Sequence, residues 1–294
     1  LLAVPGVRGD IITHGGSTLF TMDFVNIGNA GNAADTTGDP NPCGAVGYAY
    51  RMGTYEVSAA QWETVRAAAP SVGNAGDWSG SQPTAGTNWH EAARFCNWLT
   101  TGNTESGVYN TTSWDALNHQ TAAATLGVAT AYFIPTEDEW YKAAYYDPTA
   151  NSGAGGYWDY PTGSDTAPTD VLSGTSPVTA VYDGSNVTPT APANVDNSGG
   201  VSPFLTMGQG GNVWEWNETL IDSYRGVRSG AFTFGGVGNL SAGTRGYDDP
   251  AGEYSTLGFR VASISIGVVP EPGSCGLLLL GLAGMTMRRR RVSR

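Results

Sequence analysis

Cysteine, histidine, positive charge and long hydrophobic runs are all scarce in this 294-residue chain. Three cysteines with no C-x-x-C pair exclude a disulfide framework. Cys275 lies in an apolar tail, which leaves Cys43 and Cys96 as the one pair that could bridge within the body. The histidines, His14, His90 and His119, are not spaced to share a metal locally, and no G-x-S-x-G elbow points to a serine hydrolase. Lysine and arginine number 14 against 26 acidic residues, a formal net charge of −12. Five of those 14 (Arg288, Arg289, Arg290, Arg291 and Arg294) lie in the last seven positions, so the body is more acidic still. Such a surface repels phosphate backbones, which argues against nucleic acid as a partner.

Glycine and aromatic residues, by contrast, are abundant: 42 glycines and nine tryptophans. That composition fits a loop-rich globular protein with an aromatic core and argues against a helical bundle. Three helices are marked by capping boxes. Ser58–Gln61 precedes Trp62, Val65 and Ala69 and is stopped by Pro70. Asn88–Glu91 precedes Ala92, Phe95, Cys96 and Leu99, a buried stripe at i, i+3, i+4, i+7. Thr136–Glu139 precedes Trp140, Ala143 and Ala144 and stops at Pro148. Glycine-bounded stretches 19–27, 51–57, 224–232 and 257–266 read as strands. The polar stretches 101–130 and 147–203 are too long for idle loops in a compact domain, so they are functional or held by metal or aromatic packing. The sum is an irregular α+β domain at 19–266, behind an N-terminal segment 1–18 of the kind a processed secretory signal leaves.

The segment 267–294 has its own character. Residues 273–287 are 15 uncharged, mostly apolar residues, about 22 Å as a helix. That is shorter than the roughly 20 residues that span a bilayer comfortably. Arg288, Arg289, Arg290 and Arg291 follow and would stay in the cytoplasm, putting the body across the membrane. Pro270-Glu271-Pro272, a short apolar transmembrane helix and an arginine cluster, in that order, closely resemble the PEP-CTERM sorting signal of Gram-negative bacteria. The resemblance implies recognition by an exosortase, membrane insertion of the tail before processing, and delivery to the cell envelope or surface.

Six body segments, in order, resemble one family: YRMGTYEVSAAQWETV (50–65), TNWHEAARFCNWL (87–99), FIPTEDEWYKAAYYD (133–147), GNVWEWNE (211–218), YRGVRSGAF (224–232) and LGFRVAS (257–263). The family is that of the formylglycine-generating enzyme, or sulfatase-modifying factor, whose fold is a variant of the C-type lectin fold. The resemblance implies calcium at the carbonyls of Gly211 and Val213 with the carboxylate of Glu215, and a second site at Asn194, the Val195 carbonyl and Asp196. Oxygen ligands from a glycine-bearing loop suit that ion. A glutamate that only bonds loop amides is the alternative.

The family's oxidase chemistry needs a cysteine pair for Cu(I), a soft ion that selects thiolates. Laid on the family's pattern, RSGAFTFGGVGN puts Phe234 and Asn239 at those positions, which argues against copper and against catalysis. Arg228 and Arg245 match arginines of the family and are candidates for lining its peptide groove, while Arg260 in GFR reads as structural, held in an ion pair or bonded to carbonyls. His90 reads as a cap-packing residue, and His119 lies in a loop with only Asp115 near it in sequence. Three functions follow for test: an exported binding or matrix-associated module for a carbohydrate or peptide, a protein-modifying oxidoreductase using an unrecognised site, or a structural matrix protein.

Overall fold

The computed structural model describes residues 7–14, 17–233 and 236–266. Four helices matter here: α1 (Ala59–Ala68), α2 (Trp89–Thr101), α3 (His119–Leu126) and α4 (Glu137–Tyr145). The three capping boxes form as expected: Ser58 with Gln61, Asn88 with Glu91 and Thr136 with Glu139. Each satisfies two backbone donors that a helix start would otherwise leave unpaired.

Two main sheets share the core. The five-stranded sheet runs β1 (Val7–His14), β2 (Ser17–Ile27), β3 (Tyr50–Gly53), β9 (Ala262–Ser265) and β4 (Thr130–Phe133), with every neighbouring pair antiparallel. The four-stranded sheet runs β7 (Gly246–Asp248), β6 (Tyr224–Arg228), β5 (Trp214–Ile221) and β8 (Leu257–Gly258). Two-stranded ribbons at 146–147 with 156–157 and at 169–170 with 179–180 pin the long loop. The sheet therefore begins at Val7 rather than at residue 19. The segment VRGDIITH is a sheet edge that buries Ile12 alone and leaves Ile11 exposed, and sequence patterning passes over it.

The stretch 257–266 is two strands rather than one. Leu257–Gly258 pairs in parallel with β5, and Ala262–Ser265 pairs in the other sheet. Between them Phe259, Arg260 and Val261 are wholly buried, so this crossing ties the sheets together. Strand β6 stops at Arg228 because Ser229 and Gly230 take left-handed backbone, with φ of 101° and 74°.

The core is aromatic, as composition requires. Trp62 stacks on Phe95 and meets Phe259 edge-on, and Trp89, Trp140 and Trp216 are fully buried. Each indole N–H has an acceptor: Asn74 O, Asn217 O, Glu215 Oε2 and Thr87 O respectively. That pairing is what allows tryptophan to be buried whole. Among the described residues no helix is long and apolar enough to cross a membrane. The tail, with Pro270, Glu271, Pro272 and Arg288 to Arg291, lies outside the described residues.

Candidate functional site

The segment GQGGNVWEW builds a buried polar hub. Gly211 has φ of 94°, and a Cβ there would meet the Val181 carbonyl oxygen at 2.3 Å, so only glycine fits. Asn212 follows with φ of 61°. Its Oδ1 accepts from Ala193 N at 2.8 Å, and its Nδ2 donates to both oxygens of Glu56 at 3.0 and 3.1 Å. Three residues on, Glu215 receives Nε and a terminal nitrogen of Arg260, each at 2.6 Å, and Trp140 Nε1 at 2.7 Å. Both charged groups are completely buried. Arg260 spreads further, donating to the carbonyls of Gly53 and Met207. Glu56 is the second buried acid beside this pair. Burial pushes its carboxyl well above the usual range, the negative charge of Glu215 adds to that, and Arg260 pulls the other way.

This geometry bears on the calcium ligands that the resemblance implies. Glu215 has both oxygens on a guanidinium, so an ion there would share its carboxylate with a positive charge. The residues present do not fit calcium at Glu215 as they stand. The Gly211 carbonyl accepts the Ser229 hydroxyl at 2.8 Å, and Val213 is buried. Asn194 and Asp196 are exposed, the Asn194 carbonyl accepts from Asn197 N at 2.9 Å, and the Val195 carbonyl accepts from the Ser198 hydroxyl at 3.4 Å.

Copper fits no better. Cys43 and Cys96 are free and buried in separate clusters, Cys43 against Trp140, Tyr141 and Tyr145, Cys96 in the main core. Burial pushes both thiols up, away from the thiolate form that Cu(I) needs. Asn239 sits in the 3-10 turn Val237–Leu240, so close to Gly230 that a Cβ there would approach it to 3.2 Å. Phe234 lies outside the described residues.

The two groove arginines separate. Arg228 is 1% exposed, so it lines no groove. Its Nε donates to Glu137 Oε1 at 2.8 Å, its terminal nitrogens donate to the carbonyls of Thr244 and Asp39, and its guanidinium lies over the Tyr141 ring. A buried strand position beside an acidic helix start makes it a structural cation. Arg245 shares the same carboxylate, 2.6 Å from Glu137 Oε2, with its side chain partly exposed.

One cluster escapes sequence reasoning. His119, the first residue of α3, is buried, with Nδ1 at 2.9 Å from Glu139 Oε2 and Nε2 at 2.8 Å from Glu218 Oε2. Its ring stacks on Phe133 at 3.8 Å. Burial alone would lower the imidazole's pKa, but the two carboxylates outweigh it and push the pKa up to about 10. Glu139 is held below its usual range in return, despite its burial, chiefly by His119. Tyr48 donates to Glu139 and Tyr109 to Glu218, so α3, α4 and β5 meet at one fixed imidazolium. The capping box marks Glu139 as a cap; nothing local marks its partner 20 residues away. The other two histidines pack on indoles, His14 on Trp98 at 4.3 Å and His90 on Trp114 at 4.2 Å.

Comparison with known proteins agrees with this architecture. In the solved structures the chain is similar to Treponema denticola variable protein 1 (20% identity, TM-score 0.57, covering 88% of this chain and 99% of that one). It is similar also to CarF (18%, 0.57, 82% and 97%) and to PvdO from Pseudomonas aeruginosa (14%, 0.51, 83% and 94%). At such identities these likenesses show the fold alone. Among curated proteins no match was found. Residues 268–291 match the PEP-CTERM protein-sorting motif, a signal recognised by exosortase that implies an extracytoplasmic, cell-surface protein. Residues 7–264 match the sulfatase-modifying factor enzyme 1-like domain, and the chain therefore belongs to that family.

Proposed function

We propose that the protein is an exosortase-sorted binding module of the cell surface that keeps the family's scaffold without its copper oxidase chemistry. The observation that carries this reading is the placement of cysteine. The three thiols of the chain fall in two separate buried clusters and in the sorting tail. Among the described residues, Cys43 and Cys96 are not set to share a soft metal, and burial pushes both toward the protonated form. Phe234 and Asn239 stand where the family's pattern calls for sulfur.

Binding suits what remains. Long loops at 101–118 and 147–203 run over a base fixed by buried ion pairs, an arrangement in which loops vary and the scaffold does not. The ligand class is a carbohydrate or a peptide presented outside the cell. In this reading the apolar tail spans the inner membrane before processing, with Arg288 to Arg291 on the cytoplasmic side. Titration with Cu(I) against a chromophoric chelator tests the loss of chemistry. The expected result is no copper taken from the chelator, and stoichiometric tight binding by the body would overturn it.

A further inference from the structure

The end of the five-stranded sheet from which the tail departs differs in charge from the rest of the body. Strand register defines that end. β2 and β9 both run antiparallel to β3, with Ile27 opposite Tyr50 and Ala262 opposite Met52, and Ser265 of β9 meets Thr130 of β4. The last residues of β2 and β9 therefore lie beside the first residues of β3 and β4. The chain leaves this end at Ile266, whose N–H donates to the Ala129 carbonyl at 2.9 Å. The last turn of α3 stands next to it, since three residues separate Leu126 from β4.

Segments 26–30, 47–50, 120–130 and 264–266 form this end, and they contain no Asp, Glu, Lys or Arg. Ala30, Gly47, Gln120 and Ile264 line one depression, so the four segments share a continuous surface. The cations beneath are covered. Arg51 is buried and bound to Asp10, and Lys142 is wholly buried, donating to the Asn29 carbonyl at 3.0 Å. Elsewhere the body is acidic: residues 1–269 hold nine cations against 25 acidic residues. Apolar side chains reach the surface at this end, with Ile266 58% exposed and Leu126, Val128 and Ile264 partly so. Another exposed apolar group, Leu220, Tyr224 and Tyr247, is instead set among acids, with Asp222 between the first two and Asp248 and Asp249 after the third.

The chain beyond Ile266 indicates what covers the charge-free end. Residues 267–272 alone separate Ile266 from the apolar run 273–287. Six residues reach at most about 20 Å. With that run in a bilayer, the end of the sheet is held within that distance of the lipid surface. A charged group pressed against lipid loses hydration at a cost, and anionic headgroups repel carboxylates. The tethered end is free of both penalties.

We propose that, while the tail is inserted, the charge-free end of the sheet seats on the bilayer as a docking face, with Leu126, Val128, Ile264 and Ile266 against the lipid. The inference rests on the reading of the tail as a membrane span before processing, and it adds the orientation of the body.

The test uses the full chain in phosphatidylcholine nanodiscs. A nitroxide is attached through Ala30→Cys, Ala124→Cys or Tyr247→Cys in a Cys275→Ser chain, whose remaining thiols, Cys43 and Cys96, are buried. Collision with oxygen, which concentrates in lipid, and with a water-soluble nickel chelate reads the surroundings of each label by electron paramagnetic resonance. Ala30 and Ala124 are exposed on two sides of the tether, so a seated face should cost both labels their nickel access. The label at Tyr247 should keep it. Adding Ala129→Glu and Ile266→Glu should return both labels to water with the melting temperature unchanged, because both positions are exposed. Nickel access at all three positions, or its loss at Tyr247 instead, overturns the proposal while sparing the membrane reading of the tail. Loss that survives the two glutamates, or that appears only when exosortase shares the disc, overturns it as well, the second in favour of a protein partner. Extraction of the chain from vesicles by alkaline carbonate would remove the membrane reading and the docking face together.

Discussion

Replacing Glu215 by glutamine keeps the side chain's size and removes the charge that holds Arg260. In the folded protein Glu215 accepts three close hydrogen bonds, at 2.6, 2.6 and 2.7 Å, with neither partner of the ion pair exposed. Removing one member of a buried pair costs about 3–5 kcal/mol, because the other charge is left in the interior. Over a domain of this size that is a fall of about 6–20 °C in melting temperature. Glu56 lowers the figure. Burial and the charge of Glu215 push its carboxyl toward the protonated form in the parent, and once Glu215 is neutral it is freer to ionise toward Arg260. Glu215→Gln should therefore fall near the lower end of that range. Glu56→Gln alone should shift melting little, and the double variant should lose more than the sum, by about 1 kcal/mol or more. Thermal and urea denaturation of all four proteins, with and without EDTA, read the result. The ion pair predicts that EDTA moves none of the midpoints. A Glu215→Gln midpoint within about 2 °C of the parent, or a parent that melts lower in EDTA, would refute the reasoning and return calcium to the loop.

Two further predictions concern the other buried charges. The folded pKa of His119, about 10, lies above its ordinary 6.5, so the stability it contributes is whole below pH 6.5 and is lost as pH rises through 10. Urea denaturation should show unfolding free energy falling across that window by up to about 1.4 kcal/mol per pH unit, with the slope absent in His119→Ala; equal slopes in both would remove the imidazolium from the account. Arg228→Ala should cost about 3–5 kcal/mol, and Arg245→Ala less than about 1, because Glu137 keeps its buried partner in the second case. Equal losses would mean that the two arginines hold Glu137 jointly.

How legible this molecule is from sequence depends on the range of the interaction. All three capping boxes are local, and all three form. The buried face of α2 follows from its periodicity, and Ala92, Phe95, Cys96 and Leu99 are all inside. Arg260 reads correctly as a structural residue, and it makes both an ion pair and carbonyl bonds, but its partner is not legible: Glu215 is 45 residues away, near the start of β5, in a segment whose family role suggests a cation instead. The Glu139–His119–Glu218 cluster joins positions up to 99 residues apart and leaves no local mark. β1 is missed because an edge strand needs few apolar residues, and the split of 257–266 because residues buried on all sides carry no alternation.

The central claim is that the family's scaffold persists here without its oxidation chemistry. The most direct measurement incubates the full chain with copper, oxygen and a peptide carrying the CxPxR sequence, and follows the substrate cysteine by mass spectrometry. The account predicts that the cysteine stays a thiol, as in a control without protein. Catalytic conversion of it to formylglycine, over more than one turnover, would contradict the account.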